Sequence, residues 1–301
     1  MRQVLVIAGP TASGKSAFAV TCAKRFGGSI ISGDSIQVYR GFDIGSGKIK
    51  KEEMEGIRHD LLDLRQANEP YSVRDFQTEA RACLERIDGL PIVVGGTGLY
   101  LKAFLYDYVF PKQETAVDAE LTALSNEELY AKLCRADPEQ AAKIHPHNRR
   151  RLLRSLSIVQ MSGQRQSDLI QAQAHRPLYD ALIIGCTMDR SRLYARIDER
   201  VETMFRDGLV REVEGLLAGG ATFRDPAMQG IGYREFEPYF KGESTLAKVK
   251  MKIQQDSRRY AKKQYTWFRH QMPVHWFDVT DEKQKEESMR MIEKWRRNER
   301  Q

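Results

Sequence analysis

Gly9-Pro10-Thr11-Ala12-Ser13-Gly14-Lys15-Ser16 fits G-x-x-x-x-G-K-[ST], directly after the apolar run Val4 to Ala8 and directly before residues with helical spacing. Glycines in such a loop let the backbone wrap an anion, so that successive N–H groups and a helix N-terminus point at phosphate oxygens. Lys15 adds a point charge, and Ser16 is placed to ligate a Mg2+ ion that bridges two phosphates. The pattern recognises any diphosphate-like anion. It suits the β and γ phosphates of ATP or another nucleotide, and equally a diphosphate that is about to leave.

Four more groups bear on the reaction. The run Pro91 to Val94 ends in Gly95-Gly96-Thr97-Gly98 instead of the Asp expected where nucleotides are hydrolysed, and no N-K-x-D guanine-reading motif occurs. Asp189, beyond the run Leu182 to Cys186, is the nearest substitute. Asp34 stands just past the run Ser29 to Ser32, where a carboxylate can take a proton from a nucleophile, bind a metal, or cap a helix. Thr97 can donate to a developing oxyanion or cap the helix that follows. Arg196 and Arg200, one helical turn apart, can close over a diphosphate or pair with Glu199 or Glu202.

Positioning these groups takes strands that all end on one side. The strand-turn-helix rhythm predicts an α/β fold, a P-loop NTPase-like parallel sheet flanked by helices. Strands are expected at Val4 to Ala8, Ser29 to Ser32, Pro91 to Val94 and Leu182 to Cys186. A helix is expected from Lys15 to the Gly27-Gly28 break, another with Phe76, Ala80, Cys83, Leu84 and Ile87 on its buried face, and a third with Leu193, Ile197, Val201, Met204 and Phe205 inward. At the carboxyl ends of parallel strands the loop, Asp34 and Thr97 would share one crevice.

Residues 111–178 read instead as charged helices without a convincing strand, an inserted helical domain between core segments 1–110 and 179–301. A long basic amphipathic helix is expected over about 246–269, and the tail after Asp281 as a solvated charged helix or frayed end. The net charge of +7 divides unevenly along the chain. Lys143 to Arg176 holds seven basic residues against Asp168, and Lys248 to Arg269 holds eight against Asp256, which leaves −6 on the remainder. Two basic segments on a mildly acidic body point to an anionic polymer as well as a small anion.

Gly9 to Ser16, Asp34-Ser35-Ile36-Gln37-Val38-Tyr39-Arg40 with Asp43-Ile44-Gly45, Gly95 to Tyr100, Gly232-Tyr233-Arg234-Glu235, and Lys263-Gln264-Tyr265-Thr266-Trp267-Phe268 together resemble the bacterial tRNA dimethylallyltransferases, in order, from residue 4 to about 270. The resemblance implies transfer of a dimethylallyl group from dimethylallyl diphosphate to the exocyclic amine of the adenosine just 3′ of the tRNA anticodon, with Mg2+ and without nucleotide hydrolysis. It implies that Lys15 and the loop grip the diphosphate, that Asp34 is general base and that Thr97 contacts the donor's bridging oxygen. It further implies tRNA contacts from Asp34, Ser35, Ile36, Gln37, Thr97, from Gly232, Tyr233 and Arg234, and from Arg150, Arg151 and Arg154 on an arginine-bearing helix. Lys262 and Lys263, interleaved with Tyr260, Tyr265 and Trp267, are a second RNA-facing set on charge and spacing. An anticodon stem-loop is recognised by shape and by splayed bases, which suits a basic helical clasp.

The chain departs from the family pattern at Arg154-Ser155-Leu156-Ser157, where Arg-Ala-Leu-Glu is usual, and at His59-Asp60, where the family has a His pair. The stretch Phe110 to Ser125 is also short for the family. Rival readings are a P-loop small-molecule kinase, an adenine-nucleotide prenyltransferase and a non-catalytic RNA-binding protein. Cys22, Cys83, Cys134 and Cys186 lie too far apart for a C-x-x-C or zinc pattern, so reduced thiols and a cytoplasmic setting are expected. The first apolar run is too short for a secretory leader, and no stretch approaches a membrane span. A monomer with no obligate protein partner is the expectation.

Overall fold

The structure, a computed structural model, describes residues 1–110 and 119–299. In chain order its elements are β1 (Gln3–Ala8), α1 (Lys15–Phe26), β2 (Gly28–Ser32), β3 (His59–Asp60), α2 (Val73–Leu84), β4 (Leu90–Gly95), α3 (Gly98–Leu105), α4 (Ala119–Ala123), α5 (Asn126–Ala136), α6 (Pro138–Ala141), α7 (Arg149–Ser162) and α8 (Gln166–Gln171). They continue with β5 (Asp180–Cys186), α9 (Arg190–Arg206), α10 (Leu209–Ala218), α11 (Glu237–Phe240), α12 (Leu246–Gln271), β6 (His275–Phe277) and α13 (Glu282–Arg296). Two compact units result, Met1–Leu105 with Leu178–Gln301, and Tyr106–Pro177.

The first unit is built on one parallel sheet in the order β3-β2-β4-β1-β5-β6. Val4 to Ala8 of β1 are all fully buried because β1 pairs with β4 on one side and β5 on the other while helices cover the faces. That explains a continuous apolar run instead of an alternating one. The connections out of β1 and β4 proceed in opposite directions across the sheet, so the chain reverses beside β1, where open parallel sheets bind ligands.

α13 is the charged helix that was one of the two expectations for the tail, but one face of it is buried instead of solvated. Met289 and Ile292 enter the cluster formed by Leu5, Ile7, Cys22 and Ile184, the Trp295 indole donates to Asp180 Oδ1 at 3.2 Å, and Asp281 caps the helix through the Gln284 amide. Its high charge masked three inward positions spaced at one helical turn, Ser288, Met289 and Ile292. β3 and β6 escaped the sequence reading because two- and three-residue strands carry no periodicity.

The second unit packs Leu121, Leu129, Leu133, Ile144, Leu152 and Leu156 into a core of its own. It begins at Tyr106, ahead of the change in texture at 111, because Tyr106 bridges Pro177 and the Asp107 amide donates to the Arg176 carbonyl. Residues 111–118 of the short Phe110–Ser125 stretch lie outside the described residues. The four cysteines are free, and no helix among the described residues is long and apolar enough to cross a membrane.

Candidate active site

Residues 9–16 leave the end of β1 and enter α1 through Gly14, which adopts φ +90° at the N-cap. Gly9 takes φ +137°, and a Cβ there would stand 2.5 Å from the Cys186 carbonyl, so no other residue fits this start of the loop. The Ser13 hydroxyl is fully buried and donates to the Pro10 carbonyl at 2.9 Å, which makes that side chain a loop brace and leaves its backbone for the anion. Lys15 Nζ also donates to the Pro10 carbonyl, at 2.5 Å. Burial lowers the Lys15 ammonium to about 8; the Arg200 charge pushes it the same way, against the pull of Asp34.

Asp34 follows β2 and is half-buried. Its Oδ1 accepts the amides of Ile36 at 2.8 Å and Gln37 at 3.2 Å, forming a turn instead of a helix cap, while Oδ2 makes no hydrogen bond among the described residues. One oxygen is thus structural and the other is available for a proton. Thr97, after β4, offers its carbonyl to the amides of Tyr100 and Leu101. Tyr260 of α12 lies near it, and burial, with the Asp34 charge acting the same way, raises the pKa of that phenol.

The two arginines of α9 differ. Arg200 is held inward with Nη2 donating to the Gly47 carbonyl at 3.2 Å, and burial lowers its pKa against the attraction of Asp34 and Glu53. Arg196 is exposed, and neither residue pairs with Glu199 or Glu202, the latter being held by Lys250. Lys15, Asp34 and Arg200 feel one another's charge, so they share one neighbourhood. Asp189 is the N-cap of α9, accepting the Ser191 and Arg192 amides, which accounts for an Asp after β5 without a metal.

A Mg2+ ion would have few protein ligands here. Among the described residues no three His, Cys, Asp or Glu side chains converge. Ser16 is exposed on the first turn of α1 with no hydrogen bond from its hydroxyl. A hard, reluctantly dehydrated cation that takes most of its oxygens from a diphosphate and water fits such a donor set.

Of the residues expected at RNA, Gly232 and Tyr233 are buried, while Ile36, Gln37 and Arg234 keep some exposed surface but are engaged within the chain. Tyr233 is fully buried against Phe42 with ring centroids 4.7 Å apart, so it has no surface to offer a nucleotide. Gly232 packs against the Gly45 backbone, and Arg234 is engaged by Glu235 and Asp256. The Gln37 amide is occupied by Ser32 and the Gly47 carbonyl, and Ile36 packs on Gly230. The 232–236 segment is a structural knot beneath the site. Tyr265 and Trp267 likewise turn inward, the first to Thr187 at 2.9 Å and the second onto Gly98. In contrast Arg150, Arg151 and Arg154 of α7 are exposed on one side of the helix with no ion pair among the described residues, as are Lys262 and Lys263 of α12.

A family model described as IPP transferase matches residues 37–271, and one described as isopentenyl transferase matches residues 2–71. The chain belongs to the IPP transferase family. It is 48% identical over 290 residues to the tRNA dimethylallyltransferase of Geobacillus kaustophilus, and 46% over 286 residues to that of Anoxybacillus flavithermus; each alignment covers 93% of this chain and 91% of the relative. A crystal structure of the tRNA isopentenylpyrophosphate transferase of Bacillus halodurans superposes with TM-score 0.74 at 39% identity, covering 98% of this chain and 97% of that one. A eukaryotic dimethylallyltransferase solved acting on tRNA superposes with TM-score 0.80 at 28% identity, over 92% and 74% of the two chains.

For this IPP transferase the sequence reading found no signal at Glu212 and, although Gln264 stands in one of the family motifs, no role for it. Glu212 Oε2 accepts the amides of Asp43 at 3.1 Å and Ile44 at 2.7 Å, and Oε1 accepts that of Gly45 at 3.0 Å. Gln264 lies on the buried stripe of α12 between Ala261 and Phe268. A polar residue on an apolar stripe was the available signal.

Proposed function

We propose that the chain transfers the dimethylallyl group of dimethylallyl diphosphate to the exocyclic amine of the adenosine 3′-adjacent to the anticodon of tRNA. The observation that carries this reading is the meeting of an anion loop, a carboxylate with one uncommitted oxygen and a threonine hydroxyl at the ends of β1, β2 and β4, with glycines where a hydrolytic carboxylate would stand. The relatives named above act on tRNA, and the basic surfaces suit that substrate.

In the reaction the bond from the allylic carbon to the bridging oxygen breaks, and the adenine nitrogen bonds to that carbon. Negative charge builds on the departing diphosphate, where Lys15, Arg200 and the amides at the start of α1 stand; Thr97 donates to the bridging oxygen. The nitrogen becomes acidic as it alkylates, and Asp34 Oδ2 takes its proton, so a carboxylate of ordinary basicity suffices. Mg2+ held by Ser16 and the diphosphate would supply further charge neutralisation. Arg196 is free to swing onto the same diphosphate. Arg150, Arg151, Arg154, Lys262 and Lys263 supply phosphate contacts to the stem-loop, and the protein works as a monomer.

The test incubates the protein and Mg2+ with labelled dimethylallyl diphosphate and, separately, an unmodified anticodon stem-loop or AMP, with ATP and small alcohols as a further arm. Label on the stem-loop alone is expected. Label on AMP and not on RNA would make it a nucleotide prenyltransferase, and phosphate transfer from ATP would restore the kinase.

A further inference from the structure

Gln264 touches both turns that carry the reacting groups. Its Oε1 accepts the Thr11 amide at 3.2 Å, and its Nε2 donates to the Gly96 carbonyl at 2.9 Å. The side chain is 6% exposed. A Cβ on Gly96 would lie 2.1 Å from Nε2, so the missing side chain there is what admits the amide. A single planar group thus ties the anion loop to the turn bearing Thr97, with both polar atoms used.

We propose that Gln264 is a positioning residue: it fixes the spacing between the anion loop and Thr97, and it withdraws the Thr11 amide from the set that binds diphosphate. The inference rests on the reading that the diphosphate departs from this loop past Thr97. Amides at the start of α1 have no intrahelical acceptor and remain for the anion, whereas that of Thr11 is consumed. Since α12 also carries Lys262 and Lys263 on its exposed side, the helix that meets RNA is the one that holds the two turns in register. Loss of the clip should therefore damage the transition state more than ground-state binding.

Gln264→Met keeps the volume and removes both hydrogen bonds; Gln264→Glu restores the acceptor for Thr11 and loses the donor to Gly96. For each protein three quantities are measured: the Kd of inorganic diphosphate with Mg2+, kcat and KM for transfer to the stem-loop, and hydrogen exchange of the Thr11 amide by NMR. For Gln264→Met, misplacement of the turns should lower kcat about 10-fold or more, with the diphosphate Kd within about threefold and Thr11 exchange clearly faster. Gln264→Glu should keep Thr11 protected and still lose kcat. A Met variant with kcat within about twofold of wild type, or one whose diphosphate affinity falls in step with kcat, would overturn the proposal. If the Met variant does not fold, an unchanged kcat in the Glu variant overturns it. Wild-type protein that binds diphosphate but transfers no prenyl group would sink the proposed reaction, while Thr11 exchange would still decide whether the clip exists.

Discussion

The Tyr233 hydroxyl donates to Glu212 Oε1 at 2.8 Å and accepts the Ser46 amide at 3.1 Å. Glu212 in turn gathers the amides of residues 43–45, and the loop they form presents the Gly47 carbonyl to Arg200 and Gln37. A buried phenol and a half-buried carboxylate therefore hold the loop that engages the arginine and Gln37. Tyr233→Phe should cost about 1–2 kcal/mol in urea unfolding, and Glu212→Ala more, because it leaves several amides unpaired. The double variant should cost less than the sum, as expected for one network. Strict additivity would dissolve the link.

Asp34 serves two purposes that substitution can separate. Asparagine retains an Oδ1 that accepts the Ile36 and Gln37 amides but cannot take a proton. Asp34→Asn should leave the melting temperature and the KM for dimethylallyl diphosphate close to wild type and lower single-turnover transfer by about 10²–10⁴-fold. Near-normal turnover would remove Asp34 from the chemistry.

Lys15 makes a prediction in pH. With its pKa lowered to about 8, the folded protein binds fewer protons than the unfolded chain between about 8 and the ordinary lysine value. Stability from this residue therefore rises with pH across that window. Lys15→Met should melt higher than wild type at pH 7, and the gap should close as pH rises toward 10. Diphosphate affinity of the wild type should fall as pH climbs through 8, and the Met variant should lack that limb. Calorimetric titration at several pH values reads both; a parallel pH dependence in the two proteins would refute the assignment.

Arg150, Arg151 and Arg154 stand exposed on α7 with no ion pair among the described residues, whereas the adjacent Arg149 is spent on the carbonyls of Thr122 and Leu124. Replacing the three by alanine should weaken stem-loop binding and flatten the plot of log K against log salt by about 2, at roughly 0.7 per lost phosphate contact. Arg149→Ala should instead lower the melting temperature. An unchanged salt slope in the triple variant would take α7 off the RNA.

How legible this protein is from its residues depends on where the signal sits. Strand ends and the anion loop were readable because apolar runs, glycines and the lysine-serine pair lie together in sequence. Gln264 and Glu212 were not, because their partners are 253 and 167 to 169 residues away and only folding joins them. The burial of Tyr233 was hidden for a related reason: a tyrosine in a family motif looks the same whether its ring lies at the surface or against Phe42. Charge misled at α13, where Ile292→Ala should cost about 2–5 kcal/mol in spite of its charged surroundings.

The sheet described above finishes with a two-residue strand on one side and a three-residue strand on the other. Such brief borders leave few free backbone groups for a second chain to copy, while the long central strands are sealed between neighbours. Edge-to-edge pairing between copies of this chain is thereby discouraged by the brevity of its outermost strands.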